Sequence, residues 1–192
     1  MNKVFKSRIT LIGLILIFFL PILLSWYLVF ISDYKNKIGS VENGDLINPV
    51  VKIGEINVVN IKNRQISYIS NRWTLVFFVD KECNDDCQKK LYQARQIRLA
   101  LGKNIDKVDR LLISKKSIDW TNMAENYSGQ KILEIGMKDY ERVQNSFNLI
   151  SDFSFNSFYL IDPYGFLMMS YPENSEPKGI IKDIERLIRN AG

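Results

Sequence analysis

A chain of 192 residues with 46% hydrophobic and 24% charged content is long enough for one ordinary globular domain plus a small extra piece, and its composition excludes a disordered chain. Three of its five net positive charges sit on Lys3, Lys6 and Arg8, leaving about +2 on the rest; no block of basic residues interleaved with aromatics appears, so no nucleic-acid partner is called for. It contains no histidine, which removes every Ser-His or Cys-His hydrolase arrangement.

Residues 1–8 form a short basic tail. Ile9 to Ser32 is a 24-residue run without a charged side chain, the length a helix needs to cross a bilayer. A cleaved signal peptide is the competing reading, but the apolar run is too long and no small-x-small cleavage site follows Trp26-Tyr27-Leu28-Val29. We therefore expect one uncleaved transmembrane anchor over 9–32, with Pro21 kinking it and Trp26 and Tyr27 in the headgroup belt. The basic residues ahead of the span place the N-terminus in the cytoplasm and the rest outside, which in a bacterium is the periplasm.

Residues 33–49, with Gly39, Gly44 and Pro49 among polar residues, read as a linker, order beginning near Asp45; a domain over 50–192 follows. Segments 55–61 and 64–70 alternate well enough for a hairpin about Lys62-Asn63. Residues 73–79, Trp-Thr-Leu-Val-Phe-Phe-Val, are apolar and β-prone throughout, the pattern of a central strand covered on both faces. The chain's two cysteines come next, Cys83 in a loop and Cys87 in the first turn of a helix over 86–101. There Leu91, Ala94, Ile97 and Leu101 recur at helical spacing and Gly102 supplies the stop.

Strands are expected at 108–114 and 131–135, and a helix over 138–148 in which Tyr140, Val143 and Phe147 share a face. A late hairpin follows, 158–162 and 166–171 about Pro163-Tyr164-Gly165. A last helix begins near Pro177 with Ile180, Ile181, Ile184, Leu187 and Ile188 as its apolar stripe. This order of elements predicts an α/β fold, a thioredoxin-like mixed sheet flanked by helices and preceded by one transmembrane helix.

The stretch "LVFFVDKECNDDCQKKL" resembles the strand-loop-helix of Sco-type copper chaperones, and "FYLIDPYGFLMMSYPENSEPKGIIKDIERLI" resembles their closing hairpin and helix. The likeness covers roughly 70–192 and is closest to small Sco-like membrane proteins that accompany cytochrome c oxidase genes in proteobacteria. It implies a bacterial inner-membrane protein, a role in oxidase assembly, and oxidase subunits or assembly factors as partners. One departure bears on the chemistry. Sco proteins complete their copper site with a histidine ahead of the Asp-Pro hairpin, where this chain reads Ser151-Asp-Phe-Ser-Phe-Asn-Ser157. Cu(II) favours nitrogen-containing sites, so no Sco-type Cu(II) site is expected.

Three readings of Cys83 and Cys87 stay open. They can close a structural disulfide, since an oxidising compartment favours it at this spacing. They can exchange disulfides, a helix N-terminus lowering a thiol's pKa, although Glu82, Asp85 and Asp86 oppose a thiolate more than Lys81, Lys89 and Lys90 support it. No proline stands before Phe158, where thioredoxin-type oxidoreductases carry one. Or the reduced pair can hold Cu(I), with Met168 or Met169 as helper; strand alternation allows only one of these two to approach, and both read better as core. Trp73 and Trp120 are expected to pack, and Lys89, Lys90, Arg95 and Arg98 to form a solvated face. The expected function is an accessory protein that binds a partner and is not an enzyme, with a thiol-disulfide oxidoreductase or Cu(I) chaperone as the alternative.

Overall fold

The computed structural model describes residues 3–30, 42–53, 56–60, 66–68, 71–79, 83–114, 119–120, 125–133, 138–150 and 153–190. Two units emerge, residues 1–41 and 42–192.

Among its described residues the first unit contains one helix, α1 (Lys3–Phe30), with Pro21 inside it. It takes in most of the basic tail expected over 1–8, because nothing between Arg8 and Ile9 breaks a helix. Its described side chains from Leu11 to Tyr27 are mostly large, apolar and exposed. Among the described residues no helix is long and apolar enough to cross a membrane.

Among its described residues the second unit contains an eight-stranded mixed sheet in the order β1-β8-β7-β4-β5-β6-β2-β3. Its strands are β1 (Asp45–Lys52), β2 (Asn57–Asn60), β3 (Ile66–Tyr68), β4 (Trp73–Val79), β5 (Val108–Ser114), β6 (Gln130–Leu133), β7 (Phe158–Ile161) and β8 (Phe166–Tyr171). The helices are α2 (Asp85–Ala100), α3 (Lys138–Asn148) and α4 (Pro177–Asn190), with a 3₁₀ turn at Gly102–Lys107. β4, β5 and β6 run parallel, and β7 pairs antiparallel with both β4 and β8.

β4 is the central strand its composition predicts: all seven residues are buried. Alternation splits it between two cores. Leu75 and Phe77 join Leu91 and Ile97 of α2 and Ile184 of α4, while Val76 and Phe78 join Val143 and Phe147 of α3. Trp73 and Trp120 pack in the first of these. The hairpin of β2 and β3 forms with Val58 opposite Ser67, its connection lying outside the described residues. Of the strand expected at 131–135, residues 134 and 135 also lie outside them.

β1 corrects the linker reading, because residues 45–49 belong to a strand. It is an edge strand, where Pro49 removes no needed ladder donor, and it pairs antiparallel with β8, Asp45 opposite Ser170. Asn48-Pro49 is cis. The segment ahead of β1 is clamped by Asp183 of α4, 1% exposed, which accepts from Asn43 N at 2.8 Å, Asn43 Nδ2 at 2.9 Å and Gly44 N at 3.1 Å. Gly44 has to be glycine here: a Cβ would stand 2.4 Å from Tyr171 Cε1.

Candidate functional site

β4 delivers the chain to the start of α2, and the two cysteines straddle that start. Asn84 is the N-cap: with φ −79° and ψ −171° it is extended, and its Oδ1 accepts from Cys87 N at 3.2 Å. Asp85 and Asp86 occupy the first turn, where the helix dipole favours carboxylates, so they are helix-start residues. Cys83 and Cys87 are joined in a disulfide, their Cα atoms 5.0 Å apart. Of the three open readings, the bond itself is thus observed. Cys87 is 3% exposed inside the core shared by Phe77, Leu91 and Phe158; Cys83 is half-buried and packs on that core from outside.

Facing this helix start is the loop 153–157 that leads into β7. Lys90, one turn beyond Cys87, donates from Nζ to Phe155 O at 2.8 Å and so ties the cysteine helix to the loop. Burial lowers the pKa of this amine, with Glu173 and Asp86 acting against the shift. The loop is held from behind as well. Tyr159 Oη donates to Ser154 O at 2.9 Å and accepts from Ser154 N at 2.7 Å, and burial raises the pKa of that hydroxyl. Phe153 stacks on Tyr159 with ring centres 5.7 Å apart, and Phe153 and Phe155 meet Phe78 edge-on at 5.2 Å and 6.0 Å. Where the resemblance places the family's histidine, the described residues thus supply an aromatic wedge.

Copper in a Sco-like site requires free thiolates and an imidazole. Here both sulfurs are spent on each other, the chain has no histidine, and among the described residues no three His, Cys, Asp or Glu side chains cluster. The residues present do not fit a mixed nitrogen and sulfur site.

The structure corrects two further expectations. Met168 and Met169 do not simply face opposite ways: a bulge in β8, where Leu160 pairs with Met169 and Ile161 with Leu167, leaves Met168 as the extra residue, and both methionines pack on the cysteine-side core. Met169 is fully buried and accepts from Tyr171 Oη at 3.4 Å. The basic face of α2 is not wholly solvated either. Lys89 and Arg95 are exposed, but Lys90 reaches Phe155 and Arg98 Nε donates to Val108 O at 2.7 Å. Sequence reasoning missed Asn84, although an Asn just ahead of two acidic residues and an apolar helical pattern is a readable cap signal.

Comparison with known proteins agrees with this fold. The copper-bound ScoI of Bradyrhizobium japonicum has 20% identity and a TM-score of 0.53, over 71% of this chain and 98% of that one. A SCO1/SenC family lipoprotein from Bacillus anthracis has 16% identity and a TM-score of 0.57, over 74% and 99%. BsSco, a member of the Sco family of cytochrome c oxidase assembly proteins in which a disulfide switch was identified, has 15% identity and a TM-score of 0.52, over 74% and 95%. At these identities the likeness establishes the fold, which is Sco-like and thioredoxin-like. No curated protein matches the sequence. The family model described as transmembrane-like, thioredoxin-like, C-terminal domain matches residues 73–191, the stretch from the start of β4 to just past α4, and this chain belongs to that family.

Proposed function

We propose that this chain is a membrane-anchored accessory protein of cytochrome c oxidase assembly that acts by binding a partner, without a Sco-type Cu(II) site. The observation that carries the reading is a cysteine pair at the Sco position of a Sco-like fold, closed on itself in a chain with no histidine. In this reading the uncharged run 9–32, which continues past the end of α1, is the single-pass anchor in the bacterial inner membrane. The uncharged run 9–32 and the bases Lys3, Lys6 and Arg8 support a cytoplasmic N-terminus and a periplasmic domain. The oxidising periplasm keeps the pair closed.

A second reading is thiol-disulfide exchange, favoured by the unequal burial of the two sulfurs. A partner thiolate would attack the half-buried Cys83 Sγ, forming a mixed disulfide, while the Cys83–Cys87 bond breaks and Cys87 leaves as a thiolate at the helix start. A second partner thiolate then displaces Cys83. The partner dithiol ends as a disulfide and both cysteines end reduced. Cu(I) has a place only on that reduced pair.

Affinity purification of the intact chain from detergent-solubilised membranes tests the first reading. Oxidase subunits or assembly factors are expected to accompany both the wild type and the Cys83→Ser, Cys87→Ser double variant. Their loss from the double variant alone moves the function to exchange, and their absence from both removes the assembly role. Cu(II) is expected to bind the wild type no more tightly than the double variant; a reduced pair carrying stoichiometric copper overturns this.

A further inference from the structure

Among the apolar residues of β5 stands one guanidinium. Val108 and Leu112 belong to the core beneath α2, and Arg110 between them is 2% exposed. Its Nη2 donates to Ser128 O at 2.8 Å, but Nε and Nη1 have no hydrogen-bond partner among the described residues. Gln130, opposite Arg110 in the parallel register and fully buried, spends its Nε2 on Lys131 O at 3.0 Å and leaves Oε1 without a hydrogen-bond partner among the described residues.

The charge around Arg110 is as unbalanced as its hydrogen bonding. Burial first, then the like charges of Arg98 and Arg95 on α2, lower its pKa to about 10. The carboxylate acting against that shift is Asp109. Strand alternation sends it to the other face, where it binds Lys131 Nζ at 2.7 Å and Arg72 Nη1 at 3.5 Å. A buried cation whose one acting carboxylate, Asp109, is already engaged by Lys131 and Arg72 is costly for a core to hold. A water between Arg110 and Gln130 Oε1 would satisfy one donor and one acceptor and leave the charge uncompensated.

The three arginines are graded in exposure, Arg95 exposed, Arg98 half-buried and Arg110 buried, and the charges of the first two act on the third. Beside Arg110 runs the turn 125–129, in which Ser128 is exposed and Gly129 half-buried. A Cβ at Gly129 would find only Arg110 Nη2 within 4 Å, at 3.7 Å. We propose that Arg110, Arg98 and Arg95 form a binding site for a small oxyanion, entered between α2 and the turn 125–129, in which the anion accepts from the free Nε or Nη1 of Arg110. Guanidinium donors suit such oxygens, and an anion supplies both the missing acceptor and the missing charge. The site lies at the opposite end of α2 from the cysteine pair, so it stands whether or not the proposed function does.

Thermal unfolding of the oxidised full chain in detergent, titrated with inorganic phosphate at an ionic strength held constant with chloride, tests the site; sulfate and acetate arms separate tetrahedral from planar anions. The midpoint of the wild type is expected to rise with phosphate as a ligand that binds only the folded state requires. Arg110→Met is expected to abolish the rise. Arg95→Gln, at an exposed position that does not threaten folding, is expected to weaken the apparent affinity roughly tenfold by removing one charged donor. Absence of a saturating response to all three anions in the wild type overturns the proposal. An undiminished response in Arg95→Gln overturns it too, even if Arg110→Met fails to fold.

Discussion

Opening the Cys83–Cys87 bond is the perturbation that reads the site most directly. The ring it closes is short, with a sequence separation of 4, and chain entropy gives such a ring about 2 kcal/mol of stabilisation. Reduction keeps both sulfurs in place and should cost only that. Cys83→Ser should match it, because the half-buried Cys83 packs on the core from outside. Cys87→Ser should cost more: at 3% exposure among Leu91, Phe77 and Phe158 the new hydroxyl loses water, adding roughly 1–3 kcal/mol. For a domain of this size each kcal/mol moves the unfolding midpoint by about 2–4 °C, so reduction and Cys83→Ser should lower it by about 4–8 °C and Cys87→Ser by about 6–20 °C. By linkage the fold favours the closed pair by the same 2 kcal/mol, about 40 mV for this two-electron couple. The assay is thermal unfolding of oxidised, reduced and variant chains in detergent, with the mass of the cysteine peptide fixing the redox state. Equal losses in the two single variants would refute the burial asymmetry, and with it the assignment of Cys83 as the sulfur an incoming thiolate reaches.

Asp183→Ala should cost about 3–5 kcal/mol, since it strands Asn43 N and Gly44 N beside a buried cavity; an unfolding free energy from urea titration lowered by less than about 1 kcal/mol would show that the clamp adds nothing. Tyr171→Phe should be nearly neutral at pH 7, because it loses only a 3.4 Å contact to sulfur, but it should flatten the alkaline limb of stability. Burial first, then the charge of Asp183, raise the pKa of the Tyr171 hydroxyl. Its contribution is therefore complete below the unfolded value of about 10 and is lost as pH climbs through the higher folded value. Urea midpoints that fall in parallel for wild type and variant above pH 10 would contradict this.

What could be read from the sequence was local and periodic. The run 73–79 has no polar side chain but Thr74, so it has to be covered on both faces, and Phe77 and Phe78 duly enter different cores. The spacing of Leu91, Ala94 and Ile97 fixes the buried face of α2 for the same reason. What escaped depended on partners far away in the chain. The linker reading of 33–49 rests on Gly39, Gly44 and Pro49 among polar residues, yet 45–49 belong to a strand because β8 offers an edge and Asp183, 140 residues beyond Asn43, receives the chain ahead of it. Arg98 and Lys90 read as solvent charges because composition carries no trace of the carbonyls of Val108 and Phe155 that receive them. The methionine argument failed at one residue, since an alternation rule does not anticipate a bulge.

The cysteine pair itself lies between these two cases. Spacing alone puts both sulfurs at a helix start, but spacing is equally compatible with a closed bond, an exchanging thiol and a thiolate ligand. What separates them is the neighbourhood: an Asn84 cap that spends the Cys87 amide on a side chain, two carboxylates in the first turn, and a loop wedged by Phe153 and Phe155 and tied to α2 through Lys90. Asp85 and Asp86 already meet the helix dipole, so less of its field is left for a thiolate at Cys87, and the same carboxylates repel that negative charge. The loop thus ties α2 to the end of the sheet through Lys90, and of the two cysteines the half-buried Cys83 is the one that solvent reaches more readily.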